Sequence, residues 1–210
     1  MTEAKEQLLN EINSKGHKLS NIKDIYSQDI LDSHTVEIIL KWLPLIYQES
    51  LGSGELLVRS LFSAKTPFNP TVLIDLFINS SYNQTIKSTI GLVLAKANTL
   101  DISNWLLDQI LNKDYSFERA ALIDGLENKA RITTVDSLIE VLQTIFNKYW
   151  WFESYQKLFK KYGRKEDIQF LKSKIDKLDK RMVREISNVI NAIDKRVRIH
   201  KFPTSNPSKF

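Results

Sequence analysis

The run Lys148–Tyr149–Trp150–Trp151–Phe152 concentrates the chain's chemistry. It holds two of the four tryptophans, and Lys157, Lys160, Lys161, Arg164 and Lys165 follow it. Indole rings stack on bases or on peptide side chains, and the cations neutralise phosphates or carboxylates. The basic stretch continues through Lys172, Lys174, Lys177, Lys180, Arg181, Arg184, Lys195, Arg196 and Arg198. The candidate residues for contacting a macromolecule are therefore Trp150, Trp151, Lys157, Lys160, Lys161, Arg164, Arg181 and Arg184. A plainer reading competes for each group. Large aromatics are usually buried, and these would then form a core joint between two helices. A consecutive run must still point several ways, so at least one ring is expected at the surface. Asp176 with Lys180 and Glu185 beside Arg181 read equally well as a solvated helix face.

Charge is unevenly spread. From Lys148 to the end there are 17 Lys and Arg against 7 Asp and Glu, a net of +10, whereas residues 1–147 carry 13 against 18, a net of −5. The asymmetry points to an acidic partner for the C-terminal third, nucleic acid included.

Other chemistries lack their residues. The chain has no cysteine, which excludes disulfides, cysteine–zinc sites and thiol catalysis, and fits a reducing cytoplasm. His17, His34 and His200 are far apart and in no metal-binding spacing. Neither glycine-rich nucleotide cradle occurs. Leu51–Gly52–Ser53–Gly54 is the nearest approach to a nucleophile elbow and lacks its spacing. No metal or cofactor is expected. The opening Met1–Thr2–Glu3–Ala4–Lys5–Glu6 has no apolar signal core, and no apolar run approaches the ~20 residues of a membrane span, so a cytoplasmic protein with no membrane partner is expected.

The elements that would carry these residues repeat with a lag of 33. One column reads Ile39, Val72, Trp105, Leu138, Leu171. Three residues earlier it reads Val36, Asn69, Ile102, Val135, Ile168; one later, Leu40, Leu73, Leu106, Ile139, Lys172; four later, Leu43, Leu76, Gln109, Leu142, Ile175. Seventeen of these 20 positions are apolar in a chain that is 42% apolar. The offsets 0, 3, 4 and 7 lay them on one helix face. A second set runs Leu57, Ile90, Ile123, Gln156, Val189 and Ala64, Ala97, Ala130, Gly163, Arg196. Its small residues would let a neighbouring helix approach closely. The phase slips by about two residues in the fifth unit, at Leu158 and Phe159.

The pattern predicts helix pairs at 2–14 and 18–31, 34–48 and 52–65, 70–79 and 83–97, 101–112 and 116–130, 134–148 and 150–163, and 165–179 and 181–198. Ser20 or Asp24, Ser33, Asp101, and Ser116 or Asp114 are the expected caps. Pro44 should kink its helix, Pro70 suits a first turn, and Gly163 suits a helix end. Asp124–Gly125 inside a helical pattern reads as tight packing. No strand alternation is visible. The chain is therefore expected to be all-α, with one domain over 1–200 and a disordered tail at 201–210.

Helix pairs with Glu55–Leu56–Leu57–Val58–Arg59, Ser116–Phe117–Glu118–Arg119–Ala120–Ala121 and Met182–Val183–Arg184–Glu185 in their second helices resemble HEAT-like repeats over about 34–198. No Thr-Pro-Leu-His run supports ankyrin, and no Trp-x₂-Leu-Gly-x₂-Tyr run supports tetratricopeptide repeats. The resemblance implies a right-handed α-α superhelix of about six antiparallel pairs, with the second helices along its concave side. It names no ligand. The expected function is a non-enzymatic scaffold that binds another protein through that concave surface. The alternative is nucleic-acid binding through the basic C-terminal third. Some HEAT-like proteins are DNA glycosylases that hold an alkylated base with Trp, Asp and Arg, for which Trp105, Asp108 and Arg119 are available here. Trp105, however, falls in an apolar column, so burial is its expected role.

Overall fold

The computed structural model describes residues 3–79, 84–112 and 116–199. Among them every regular element is a helix. The expected tail 201–210 and the cap candidate Asp114 lie outside the described residues. The chain divides into two compact units, Met1–Arg131 and Ile132–Phe210.

The first unit holds α1 (Glu3–Asn13), α2 (Ile22–Tyr26), α3 (Ser33–Glu49), α4 (Leu51–Ser60), α5 (Thr71–Ile78), α6 (Gln84–Lys96), α7 (Ser103–Leu111) and α8 (Phe117–Ala120). A 3-10 turn at Leu61–Ser63 extends α4, and another at Ala121–Gly125 extends α8. Like helices stack on like. α1 packs on α3 and α3 on α5, while α2 packs on α4, α4 on α6, and α6 on α8 with its 3-10 turn. Phe77 of α5 meets Trp105 of α7 edge-on, with centroids 5.6 Å apart. The repeat columns explain these layers. Ile39, Leu43, Leu73 and Leu106 are fully buried in the first layer, and Leu57, Ile90 and Ile123 in the second. A helix this short has little stability of its own, so the packing of its apolar face holds it.

Capping differs from expectation by a residue. Asn21, not Ser20, caps α2: its side chain accepts from the Lys23 and Asp24 amides, while the Asp24 carboxylate accepts from the Asn21 amide. Asp32, not Ser33, caps α3, accepting from the Thr35 amide at 2.9 Å. The second helix of the first pair shrinks accordingly, from the expected 18–31 to Ile22–Tyr26. α3 runs on through Pro44. Ser116 sits at the N-cap of α8 with no side-chain cap bond.

The links between hairpins are also tied. Leu31 bridges to Ala64, and Phe68 to Thr99, as isolated parallel pairs. The Lys129 ammonium donates to the Ala97 carbonyl, just past the end of α6, and to the Thr99 hydroxyl. Burial pulls Lys129 down to about 8. Gly125 is a packing requirement, since a Cβ there would stand 2.6 Å from Leu106 Cδ1 and 3.2 Å from Ala95 Cα.

The second unit holds α9 (Val135–Tyr149), α10 (Glu153–Tyr162), α11 (Asp167–Lys172), a 3-10 turn at Ile175–Lys177, and α12 (Lys180–Ile199). Thr134 caps α9 by accepting from the Ser137 amide. α9 packs on α10, and α10, α11 and the turn pack on α12. Rings join the aliphatic residues of this core. Phe146 meets Phe170 edge-on at 5.5 Å, and Phe159 stacks on Phe170 at 6.5 Å. The Tyr155 hydroxyl donates to the Leu142 carbonyl at 2.7 Å, and burial raises its pKa well above the usual phenol value. Leu158 and Phe159, where the repeat phase slips, are both buried. Gly163 ends α10 at a negative φ of −56°, so it serves by its size. A Cβ there would lie 2.6 Å from the Phe159 carbonyl oxygen and 2.7 Å from Ile193.

Candidate protein-interaction cleft

The end of α9 splits the tryptophan pair. Trp150 is the C-cap of α9, is 6% exposed, and stacks on Phe146 with centroids 6.3 Å apart. Trp151, one residue on, is 37% exposed. Its indole N–H donates to the Lys148 carbonyl at 2.9 Å, and its ring stands edge-on to Phe152 at 5.7 Å. Two contacts thus fix an exposed ring before any partner arrives. A rigid aromatic loses little entropy on binding, which is why such residues anchor interfaces.

Trp150 and Trp151 form one side of a cleft of about 420 Å³ whose other lining residues are Glu153 and Gln156 of α10, Asp179, and Arg181, Met182 and Glu185 of α12. Asp179 starts α12 by accepting from the Met182 amide at 2.9 Å. Gln156 donates to the Trp150 carbonyl at 3.2 Å and so ties the cleft's side to its floor. Glu153 pairs with Lys157 at 2.9 Å. The lining is aromatic with three carboxylates, one guanidinium and one amide. That mixture suits a protein segment, which offers apolar, basic and amide groups together. It suits a phosphate backbone poorly, because the carboxylates repel it.

Of the eight candidate residues, the structure brings Trp150, Trp151 and Arg181 to this cleft. The rest lie elsewhere on the unit. Lys157 is exposed on α10 in its i,i+4 pair with Glu153. Lys160 is half-buried, and the Lys161 ammonium sits 5.1 Å from the Tyr162 ring centre. Arg184 is exposed on α12. Arg164 is a structural residue. It pairs with Asp136, and its backbone amide and Nε donate at 2.7 and 3.3 Å to Asp167, a carboxylate only 3% exposed. Gln143 donates to the other Asp167 oxygen at 3.0 Å. The bond to Asp167 raises the Arg164 pKa further.

No protein-family model, curated protein or solved structure matches this chain. The site is therefore read from its own chemistry. Other basic side chains are also tied to the unit's own fold. Arg196 donates to the carbonyls of Lys161 and Gly163, at the end of α10. This repeats what Lys129 does past α6: a cation satisfies carbonyls left over at the end of an earlier helix. Lys174 sits 4.9 Å over the Phe170 ring. Among the described residues, no group of three His, Cys, Asp or Glu side chains could hold a metal ion. No described helix is long and apolar enough to cross a membrane.

Glu153, Gln156, Asp179, Met182 and Glu185 were not foreseen as site residues. One signal was available. Gln156 interrupts the column Leu57, Ile90, Ile123, Val189, all of which are buried. A polar residue at a core position of a repeat marks a place where the repeat does something else. Trp105 is half-buried against Phe77, and Asp108 is exposed on α7.

Proposed function

We propose that the chain is a non-enzymatic, cytoplasmic, HEAT-like scaffold, a right-handed solenoid of about six helix pairs, that binds another protein along its layer of second helices. The carrying observation is the fixed, exposed Trp151 at a cleft between two second-layer helices, α10 and α12, lined by both charges. The stacking of like helices in the first unit supports the repeat reading. An open aromatic cleft on a rigid helical surface offers contact area to a macromolecule. Affinity capture from cells that express the chain tests this. Trp151→Ala should lose a protein that the parent chain retains, with helical content and melting unchanged. Identical capture by both chains would contradict it.

Nucleic-acid binding is the second reading. Residues 132–210 carry 17 Lys and Arg against 9 Asp and Glu, a net of +8, and Lys165, Lys172, Arg181 and Arg184 are exposed. On this reading, reversing Lys160 and Lys161 to Glu abolishes binding of labelled DNA and RNA, and unchanged binding would exclude that surface.

A further inference from the structure

One column of the 33-residue repeat is on the outside. Leu45 of α3, Ile78 of α5 and Leu111 of α7 are equivalent positions, and they are 47%, 57% and 40% exposed. Single exposed aliphatics need no explanation, but the same position exposed in three successive hairpins makes a row. α3 packs on α5, and α5 meets α7 through Phe77 and Trp105, so the three positions follow one another across neighbouring helices. Ile74 and Leu107, one turn earlier on α5 and α7, are half-exposed and widen the row. An acidic edge runs beside it. Asp75 and Asp108 precede Ile78 and Leu111 by three residues, Glu49 follows Leu45 by four, and all three are exposed. The row stops at the end of the first unit: the equivalent residues of α9 are Glu140 and Thr144, both exposed.

We propose that this row docks a basic amphipathic helix of a partner protein, on a surface separate from the tryptophan cleft. Neighbouring packed helices stand about 8–10 Å apart, so the row presents one aliphatic about every 8–10 Å. A helix rises 1.5 Å per residue, so an apolar residue at every seventh position recurs about every 10.5 Å. The two spacings match over three residues. An extended segment fits less well. The helices of the row satisfy their own backbone groups, so an extended chain laid across them would leave the amides and carbonyls it turns onto the row without partners, whereas a helix brings its own bonds. The acidic edge selects lysine and arginine beside the apolar stripe.

The test uses the full chain and a labelled synthetic helix of about three heptads, with leucine at every seventh position and lysine beside it. Fluorescence anisotropy should show saturable binding at least tenfold tighter than to the same peptide with glutamate for lysine or serine for leucine. Ile78→Ser and Leu111→Ser, each checked for an unchanged thermal melt, should each weaken binding about tenfold, and Leu45→Ser replaces either if it melts early. Trp151→Ala should leave peptide binding unchanged, which separates this surface from the cleft. Equal affinity for all three peptides, or binding indifferent to the serine variants, would overturn the proposal. Loss of peptide binding in Trp151→Ala would move the site to the cleft. A concentration-dependent dimer in sedimentation, abolished by Ile78→Ser, would assign the row to a second copy of the chain instead.

Discussion

The two units build the same 33-residue period from different materials. In Met1–Arg131, aliphatic columns such as Leu57, Ile90 and Ile123 interlock, and net charge over those residues is −3, from 13 basic and 16 acidic side chains. In Ile132–Phe210, a cluster of rings packs among aliphatic residues such as Leu138, Leu142 and Val189, and the net charge is +8. A cluster of lysines and arginines invites the inference of a phosphate-binding face. Here Arg164 holds the buried Asp167, Arg196 caps carbonyls at the end of α10, and Lys174 lies on aromatic faces. These cations hold the unit's own elements together, as Lys129 does in the first unit. Beside its exposed lysines and arginines, the second unit presents outward a cleft of mixed charge around Trp151.

The largest expected effect comes from Leu138, which is 5% exposed in the core of the second unit. Leu138→Asp should abolish that unit's cooperative melt, because an unpaired buried carboxylate costs several kcal/mol against the roughly 5–15 kcal/mol that holds a domain together. A variant as stable as the parent chain would break the core assignment. Next comes the contrast within the tryptophan pair. Trp150→Ala should cost about 3–5 kcal/mol in urea unfolding, and Trp151→Ala under about 1 kcal/mol. Equal costs would mean that the cleft's exposed ring is a core residue.

The cations give a smaller contrast. Arg164→Ala should cost about 1–2 kcal/mol, since it removes the charged Nε donor from the buried Asp167 and leaves only the backbone amide, while the exposed Arg184→Ala should stay within about 0.5 kcal/mol. Indistinguishable effects would undo the claim that Arg164 serves the fold.

The smallest expected effect belongs to the first unit. Burial lowers Lys129 to about 8, below its value in an unfolded chain. Between about pH 8 and the ordinary lysine value the unfolded chain therefore binds more protons, so this residue makes stability rise with pH across that window. Its half-exposed position keeps the gain under about 1 kcal/mol. Urea midpoints on either side of the window should rise more for the parent chain than for Lys129→Met. A larger rise in the variant would reverse the sign.

Much of the helical layout was legible because it rests on spacing. Residues 34–48 were expected in one helix, and α3 runs Ser33–Glu49; for 134–148 the helix runs Val135–Tyr149. Ends were less legible, because a cap depends on which of two adjacent polar residues reaches the free amides. Ser33 lost to Asp32 on that account. The expected helix 116–130 holds α-helical form only over Phe117–Ala120 and tightens to a 3-10 turn by Gly125, where Leu106 and Ala95 crowd in from other elements. Long-range packing of that kind leaves no local mark. The candidate site divides the same way. The tryptophans stood out by composition, whereas Asp179, Met182 and Glu185 join them only because α12 packs on α10. The exposed row at Leu45, Ile78 and Leu111 shares its period with the core, so sequence periodicity alone could not separate it from buried columns.

The proposed protein-binding role rests on a second unit in which Arg164, Lys174 and Arg196 serve the fold and the cleft at Trp151 carries mixed charge. Binding of labelled single- and double-stranded DNA and RNA from about 50 to about 200 mM salt tests it most directly. Only weak, sequence-indifferent association is expected, no tighter than about 10⁻⁵ M at physiological salt. Sub-micromolar binding at that salt, lost when Lys160 and Lys161 are reversed to Glu, would contradict it.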